Sequence, residues 1–502
     1  MRPETSSPSV ESPRPASVWV CLLLPALVGL LAITGRSFWI DECVTAQYVS
    51  QPTFSEWRSD LLTTPDAEAH TPLYLLYLWG WEKVFGYGEK SLRLAALPWF
   101  VIGVGLLLFA LDRVLKGRWM APAVLLSNAF VWYYLDEARL YTMQFGACCA
   151  VAGALIMLSR QSVTETGKPG WFRIFLFSTL ILSGISIIGM LWTGAAAVVL
   201  AVVLPWPQIW QRIKSSPILA TIWLGILVCL AGYYLSAVMR GARASGMATT
   251  NLETIIFVGY ELLGFTGLGP GRDALRQQGA DALFDYLPWL VLYAISVATV
   301  LCSGMVFVWK SRWRMRGIKV AVVVALPALF LLSTGVARHF RVLGRHCTPL
   351  LPLILILLVL GVTWLWRRGW MGRFAVVLYV ALALISSVQV RLAPRHYQDD
   401  YRAAASFTRQ AVASGERVWW AAAGQGAAYY GLPITQDSAS EAGAYGIFGQ
   451  STQELAGLSS PDLVVLSRPD IYDYQGGLAE TLKAGHYLVF TNFQGFEIWT
   501  HP

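Results

Sequence analysis

Charged residues are scarce in this 502-residue sequence: Asp, Glu, Lys and Arg make up 14% of it, against roughly 25% in an ordinary soluble domain. Apolar residues make up 56%, and the mean hydropathy is +0.52. A water-soluble monomer is therefore excluded. The net charge of +8 does not indicate nucleic-acid binding, because the Lys and Arg residues stand in short clusters between apolar runs and not on one soluble face.

Cysteine motifs of the metal-binding or redox type are also missing. The seven cysteines include no CxxC motif, most lie inside apolar runs, and none follows Cys347. The sequence therefore predicts neither a disulfide framework nor a zinc site. We find no internal repeat of the kind that transporters carry.

Long apolar runs are abundant. A helix needs about 20 apolar residues to cross a hydrocarbon core of about 30 Å, because each backbone polar group must be satisfied within the segment. About eleven segments fit this template, approximately 18–35, 92–111, 119–135, 141–158, 173–190, 194–210, 217–237, 286–309, 318–335, 349–366 and 373–391. The stretch 173–210 also fits one re-entrant pair. The sequence thus predicts a polytopic α-helical membrane protein, whose 22 Trp and 21 Tyr suit the two bilayer interfaces.

Lys and Arg are concentrated in alternate loops, and such loops stay on the cytoplasmic side. This bias predicts a cytoplasmic N-terminus, with residues 1–17 as a disordered tail, and a transmembrane domain over 18–391. The long first loop, 36–91, is expected to carry interfacial helices on the extracytoplasmic side. Residues 392–502 have ordinary polar content and strand-like runs between turns, which predict a small soluble α/β domain on that same side. The inner membrane of a bacterium is the expected location.

Two adjacent carboxylates, Asp41 and Glu42, directly follow the first apolar run. A carboxylate that is partly desolvated at a membrane edge has a raised pKa and is able to take a proton from a hydroxyl. Asp41 is therefore a candidate general base. The alternative is a solvated pair of loop acids that marks a helix end.

His70 begins a second motif in the first loop, His70-Thr71-Pro72-Leu73-Tyr74. The helix that Pro72 starts is apolar and rich in Tyr, Leu and Trp, as expected of a helix that lies along the membrane surface and covers a cavity. His70 is a candidate for substrate contact. The alternative is a polar helix cap.

Asp136, Glu137 and Arg139 stand in a turn so short that their charges must lie at the membrane boundary. Charges placed there are costly unless they are paired or face a polar cavity, so a functional role is the first interpretation. The alternative is an ion pair of Arg139 with Asp136 or Glu137 that only closes the turn.

Arg338, Arg341, Arg345 and His346 belong to a basic turn on the side where the charge bias predicts few cations. A phosphate explains them, because the planar guanidinium group binds phosphate oxygens bidentately. The expected substrate is an anionic lipid. The alternative is a topology shifted by one span, with these arginines in the cytoplasm.

In this order, and at the ends of spans, the four motifs resemble those of the GT-C superfamily of membrane glycosyltransferases. The resemblance is to the protein O-mannosyltransferase and aminoarabinose-transferase type, which is like glycosyltransferase family 39. The matching motifs are Asp41-Glu42, His70 to Tyr74, Asp136 to Tyr141 and Arg345 to Pro349. The resemblance extends over about residues 18–150 and 335–352 and is architectural elsewhere. His346 stands where many relatives have Tyr, which leaves the role of that residue open.

The resemblance implies inverting transfer of a sugar from a polyprenyl-phosphate donor to a hydroxyl of a lipid, glycan or protein acceptor. Asp41 is then the general base, or it positions the acceptor. Glu42, Asp136 and Glu137 hold acceptor or sugar hydroxyls, or they coordinate a divalent cation if one is used; no other cofactor is implied. The implied substrate-binding residues, among which the arginines hold the donor phosphate, are His70, Tyr74, Arg139, Tyr141, Arg338, Arg341, Arg345 and His346.

Three other functions compete with this one. A transporter or lipid flippase is expected to bury charge in the middle of its spans, whereas the charges here stand at span ends. An oligosaccharide ligase or polymerase typically has long outer loops between its later spans. A ligand sensor needs a cytoplasmic output domain, which we do not find in the sequence. Neither the sugar nor the acceptor follows from the sequence.

Overall fold

The computed structural model describes residues 18–64, 66–115, 119–160, 170–241, 249–435 and 443–501. The tail predicted at 1–17 lies outside these residues. The helices up to residue 392 are α1 (Val18–Ala32), α2 (Ile40–Val49), α3 (Phe54–Thr63), α4 (Pro72–Phe85), α5 (Glu89–Leu94), α6 (Leu97–Val114), α7 (Met120–Leu126), α8 (Ala129–Leu135), α9 (Tyr141–Arg160), α10 (Gly170–Ile185), α11 (Ile187–Val203), α12 (Trp206–Ser215), α13 (Pro217–Met239), α14 (Leu252–Leu262), α15 (Arg272–Gln278), α16 (Leu287–Lys310), α17 (Arg314–Arg338), α18 (Leu351–Trp366) and α19 (Trp370–Leu392). Short 3-10 turns lie at Ala67–His70, Thr266–Leu268, Gly279–Tyr286, Gly344–Leu350 and Pro394–His396.

All eleven predicted runs contain helix, so the helical membrane fold is confirmed. Helices α1 and α10 are apolar but shorter than a full span, and α11 and α12 are long enough only as a pair. The count of eleven crossings stays a prediction. Among the described residues, the segments long and apolar enough to cross a bilayer by themselves are seven: Glu89–Val114, Tyr141–Arg160, Pro217–Met239, Arg272–Lys310, Arg314–Arg338, Gly344–Trp366 and Trp370–Leu392.

Several predicted runs are interrupted for local reasons, as two examples show. The third run breaks into α7 and α8, because the Asn128 side chain accepts hydrogen bonds from the backbone of Phe130 and Val131 and so starts a new helix. The chain bends by 117° between α11 and α12 at Pro205, which fixes its own backbone and has no N–H to donate. Helix α12 therefore leaves the direction of α11.

Helices α6 and α9 approach each other closely through glycines. A Cβ atom placed on Gly103 of α6 would lie 1.9 Å from the carbonyl oxygen of Gly146 in α9, so only glycine fits there. Small residues at such crossings let helix backbones meet inside a membrane domain. This contact holds the first half of α9 against α6. It thereby also positions the short turn 136–140, which leads into α9.

The residues after α19 form a six-stranded sheet with flanking helices. The strand order is β2 (Ile434–Thr435), β3 (Gly443–Gly446), β1 (Arg417–Ala421), β4 (Leu463–Ser467), β6 (Phe496–Thr500), β5 (Leu488–Phe493). Strand β1 is parallel to β3 and β4, and β6 is antiparallel to both of its neighbours. The strand-like runs predicted at 417–422, 462–466 and 487–491 correspond to β1, β4 and β5. The elements are α20 (Tyr401–Ala413), β1 (Arg417–Ala421), α21 (Gly424–Tyr429), β2 (Ile434–Thr435), β3 (Gly443–Gly446), α22 (Thr452–Ala456), β4 (Leu463–Ser467), α23 (Pro469–Tyr472), α24 (Gly477–Ala484), β5 (Leu488–Phe493) and β6 (Phe496–Thr500).

The α/β domain packs against the first loop of the helical domain. The backbone N–H of Phe38 donates to the Tyr430 hydroxyl at 2.7 Å, and Arg402 forms an ion pair with Glu89 at 2.6 Å. We call the face of the helical domain formed by residues 33–96, 136–140 and 339–350 the loop face. The α/β domain lies on this face, where the predicted site residues are found.

Candidate active site

Asp41 and Arg345 form the central ion pair of the loop face. Asp41 lies in the first turn of α2, and Arg345 lies in the 3-10 turn Gly344–Leu350. Nη1 of Arg345 donates to Oδ2 of Asp41 at 2.8 Å, and both side chains keep partial exposure, 17% for Arg345 and 25% for Asp41. The structure thus brings the first and the fourth sequence motifs together.

The pKa of Asp41 departs from the sequence expectation. Burial raises it, but the guanidinium groups of Arg345, Arg139 and Arg468 together lower it more, so the pKa lies below its ordinary value. The expectation of a raised pKa is therefore wrong for this carboxyl while Arg345 is its partner. Its physical reason, desolvation, is present and is outweighed by three nearby cations.

Arg139 connects the turn 136–140 to the first loop. Its Nη1 donates to the Asp41 carbonyl at 3.0 Å, to the Thr45 hydroxyl at 2.6 Å and to the Glu68 carboxylate at 2.5 Å. The ion pair is thus with Glu68 and not with an acid of its own turn, so the alternative of a closed turn is wrong. Nε of Arg139 is buried without a hydrogen-bond partner in the described part of the chain.

Glu137 is the carboxyl whose pKa is raised. It is 1% exposed, and its Oε1 accepts a hydrogen bond from Nε2 of Gln398 at 2.9 Å. Within the described residues, its Oε2 is buried with no hydrogen-bond partner. Burial raises the pKa of Glu137 to about 7, although the nearby Arg272 lowers it. A carboxyl of this pKa changes charge near neutral pH.

Glu42 and Asp136 hold the loop face together. Glu42 binds the guanidinium of Arg93 with both oxygens, at 2.9 and 2.7 Å, and also accepts from the Ala138 backbone at 2.6 Å. Asp136 accepts from the backbone and the hydroxyl of Thr34 and forms an ion pair with Arg391. Both oxygens of each acid are occupied, so these contacts describe structural roles and not open hydroxyl-binding groups.

We call the charged side chains of Asp41, Glu42, Asp136, Glu137, Arg139 and Arg345, together with the side chains that bond to them, the cluster. The remaining predicted residues lie either beside this cluster or at the surface. Tyr74 is buried, and burial raises its pKa well above the ordinary value, with Arg139 and three carboxylates near enough to modify it. The Arg345 guanidinium carbon lies 5.7 Å from the ring centre of Tyr141. His70 ends the 3-10 turn Ala67–His70, which carries the Glu68 partner of Arg139.

Only part of the basic turn contributes to the cluster. Nδ1 of His346 accepts from the Leu343 backbone at 3.1 Å, so this side chain caps its own turn. Arg338 and Arg341 are exposed at and just beyond the end of α17. The structure therefore brings Arg345 into the cluster and leaves Arg338 and Arg341 exposed outside it.

Several cluster residues were missed by sequence reasoning. Arg93 and Arg391 stand at the ends of apolar runs, a signal that was available because isolated charges in such positions need partners. Arg272, which donates to the Tyr134 hydroxyl and to Glu261, is the first residue of α15. Gln398 had no such signal, since only the fold brings it to Glu137.

Metal ligation has little support in the geometry. In the residues that the structure describes, no group of three or more His, Cys, Asp or Glu side chains could hold a metal ion. Glu42 and Asp136, two of the acids considered as ligands, are instead bound to arginines.

The architecture has a long helical first loop, acidic and basic side chains gathered on one face and an α/β domain packed there, as the sequence predicted. No protein-family model matches the sequence, and no curated protein matches it either. The solved structures give the comparison. ArnT from Cupriavidus metallidurans in the apo state aligns with a TM-score of 0.51 and 14% identity over 97% of this chain and 98% of that chain.

A second crystal structure, of the same ArnT bound to undecaprenyl phosphate, aligns with a TM-score of 0.52, at 14% identity and with the same coverage. The arabinofuranosyltransferase AftD from Mycobacteria is similar over 97% of this chain and 40% of that chain, with a TM-score of 0.46 and 13% identity. At such low identity, the likeness to ArnT shows the fold.

Proposed function

We propose that this protein is a glycosyltransferase that moves a sugar from a polyprenyl-phosphate donor to an acceptor hydroxyl, with inversion. The observation that carries the proposal is the Asp41–Arg345 ion pair, in which both the acid and the base are partly exposed. Transfer from a lipid phosphate makes two demands: binding of the leaving phosphate and removal of the acceptor proton. Arg345 is suited to bind the leaving phosphate, and Asp41 is suited to take the acceptor proton.

Arg345 is the proposed phosphate ligand. A guanidinium group binds phosphate at least as well as carboxylate, because both offer oxygens in the geometry of its fork. Nε of Arg345 is buried without a hydrogen-bond partner in the described residues, so the group has donor capacity left when Asp41 is its partner. Arg139 and Arg272 lie near enough to Glu137 or Asp41 to shift their pKa values and add positive charge around the phosphate.

Asp41 is the proposed general base. When the donor phosphate takes over Arg345, Asp41 loses the cation that contributes most to its low pKa, and its Oδ2 becomes free. The acceptor oxygen then forms a bond to the anomeric carbon while its proton passes to Asp41. The bond from that carbon to the phosphate oxygen breaks, and the lipid phosphate leaves with the electron pair. A single displacement inverts the configuration, and the weakly basic phosphate needs no acid to leave.

Glu137 is the proposed ligand of a substrate hydroxyl. Its free oxygen offers a charged hydrogen-bond acceptor only when the carboxyl is ionised, which its pKa of about 7 allows in the neutral range. Buried hydrogen bonds to a charged acceptor are worth about 1.5–3 kcal/mol. This contact holds the acceptor or the sugar for the displacement at Asp41.

We also propose that the loop face is extracytoplasmic, at the inner membrane of a bacterium, with the N-terminus in the cytoplasm. The Lys and Arg residues between α16 and α17 support this orientation, because they lie at the other ends of these helices from Arg345. A flippase or transporter, and an oligosaccharide ligase or polymerase, remain the competing functions. The fold likeness to an ArnT bound to undecaprenyl phosphate favours a lipid-phosphate donor.

Native mass spectrometry of the protein purified from its membrane tests the proposal. We expect a bound polyprenyl phosphate or polyprenyl-phosphate sugar, and consumption of that sugar lipid when acceptor-containing membranes are added. Bulk phospholipid alone, together with no binding of added undecaprenyl phosphate, contradicts the donor assignment. Binding of the sugar lipid with transport across vesicles and no sugar transfer favours the flippase.

A further inference from the structure

A cavity of about 440 Å³ lies between the helical domain and the α/β domain. It is distinct from the Asp41–Arg345 pair, since neither residue lines it. The helical domain contributes Arg36, Arg93 and Arg391 among others, and α20 of the α/β domain contributes its first turns. Pockets of about 300–1,000 Å³ are typical of small-molecule sites, so the volume suits a ligand of one or two sugar rings.

Three of the four arginines in the cavity wall are paired with carboxylates. Arg93 is paired with Glu42, Arg391 with Asp136, and Arg402 with Glu89. Phosphate binding would require such arginines to leave these acids, two of which are buried. A neutral ligand does not make this demand.

The fourth arginine of the wall, Arg36, is held differently. Its guanidinium carbon lies 3.7 Å from the ring centre of Tyr397, and Nη2 donates to the Arg391 carbonyl. The wall also carries the side chains of Ser37, Tyr133 and Gln494. It therefore combines many hydrogen-bonding groups with little excess charge, which is what a polyhydroxylated, uncharged molecule needs.

Gln398 joins this cavity to the proposed active site. Its side chain lines the cavity, and its Nε2 donates to the Tyr133 hydroxyl and to Oε1 of Glu137, both at 2.9 Å. A ligand in the cavity is therefore one side chain away from the carboxyl whose pKa is about 7. Gln398 thus links the cavity to Glu137 by a contact in which Arg345 takes no part.

We propose that this cavity binds the acceptor, and that the acceptor is a neutral glycan. This inference rests on the proposed function only where it calls the bound glycan the acceptor. The binding of a neutral glycan in the cavity does not depend on it. The donor lipid then approaches Arg345, and the sugar ring of the acceptor enters between the two domains, with its reacting hydroxyl directed past Gln398 toward Glu137 and Asp41. The α/β domain in this arrangement forms one wall of the acceptor site.

Saturation-transfer NMR on the full chain in nanodiscs without sugar-headed detergent tests the inference. The probes are methyl α-mannopyranoside, methyl β-galactopyranoside, methyl α-arabinofuranoside and, as the charged comparison, glucose 1-phosphate. Ala403→Trp and Ser406→Trp each place a large ring in the cavity from α20. Gln410→Trp, at an exposed position on the same helix outside the cavity, is the matched control.

We expect at least one neutral glycoside to give a signal that both cavity-filling variants lose and that Gln410→Trp keeps. Added undecaprenyl phosphate should still bind the filled variants, which shows that they are folded. No signal from any neutral glycoside, an unchanged signal in both filled variants, or a signal from glucose 1-phosphate alone overturns the inference. Failure of the wild-type protein to bind undecaprenyl phosphate contradicts the proposed donor and leaves the sugar result standing.

Discussion

Nη1 of Arg345 lies 2.8 Å from Oδ2 of Asp41, although 304 residues separate them in the sequence. The first helix of the first loop and the turn that precedes α18 therefore meet at one point. The pair is less buried than the Glu42–Arg93 pair beside it, whose members are at most 1% exposed. A partly exposed pair is the one that a charged substrate is able to open.

Replacement of Asp41 by Asn should reduce sugar transfer by about a hundredfold to ten-thousandfold, because a positioned general base contributes about that much. The measurement is the rate at which the purified protein releases polyprenyl phosphate from its donor lipid. Asp281→Asn, at an exposed position outside the cluster, should keep the wild-type rate. Near-normal transfer by Asp41→Asn would refute the assignment of the base.

Arg345→Ala should weaken donor binding by about tenfold to a hundredfold, since a hydrogen bond to a charged group is worth about 1.5–3 kcal/mol. The measurement is a titration with undecaprenyl phosphate. Arg341→Ala is the control, because Arg341 is exposed outside the cluster and its loss should leave the affinity unchanged. Equal losses in the two variants would restore the sequence-based assignment of both arginines to the phosphate.

The rate of transfer should rise with pH through about 7, the pKa of Glu137. Below this pKa the carboxyl is protonated, and its free oxygen no longer offers a charged acceptor to a substrate hydroxyl; above it, the carboxylate does. Glu137→Gln should be slower and should lack this rise, as a pH–rate profile would show. A rise that persists in Glu137→Gln would assign the titration to another group.

Arg93→Met should destabilise the protein by about 3–5 kcal/mol, because it leaves the buried Glu42 carboxylate without its partner. The double variant Glu42→Leu with Arg93→Met should recover much of this loss, since no unpaired charge remains. Thermal unfolding in detergent measures both. A double variant that is as unstable as two independent losses would show that the pair acts through packing rather than charge.

The sequence predicted those features that depend on one physical requirement acting on each segment by itself. Apolar runs predict helices because a bilayer leaves no other way to satisfy the backbone, and all eleven runs contain helix. Asp41 was identified as a carboxylate directly after the first apolar run, and Arg345 as a cation on the side where the charge bias predicts few. The break at Asn128 escaped notice, since one capping side chain decides it inside an apolar run.

Contacts between distant segments set the limit of that reasoning. The pKa of Asp41 depends on Arg345, Arg139 and Arg468, which come from three separate parts of the chain, and no spacing rule gives their net effect. Arg341 and Arg345 are arginines of the same basic turn, and only the path of the backbone decides which one reaches Asp41. Gln398 is an ordinary polar residue until the fold brings it to Glu137.

The orientation of the protein is open to a direct measurement by cysteine labelling. In a background where the exposed Cys229 and Cys302 are replaced by Ser, single cysteines are introduced as Gln410→Cys on α20 and Arg312→Cys between α16 and α17, both exposed. If the loop face is extracytoplasmic, a membrane-impermeant maleimide should label Gln410→Cys in intact bacterial cells with an opened outer membrane, and Arg312→Cys only after the inner membrane is permeabilised. The reverse pattern would place Arg345 and Asp41 in the cytoplasm. The arginines of the basic turn would then follow the ordinary charge bias, and their number would no longer call for a phosphate.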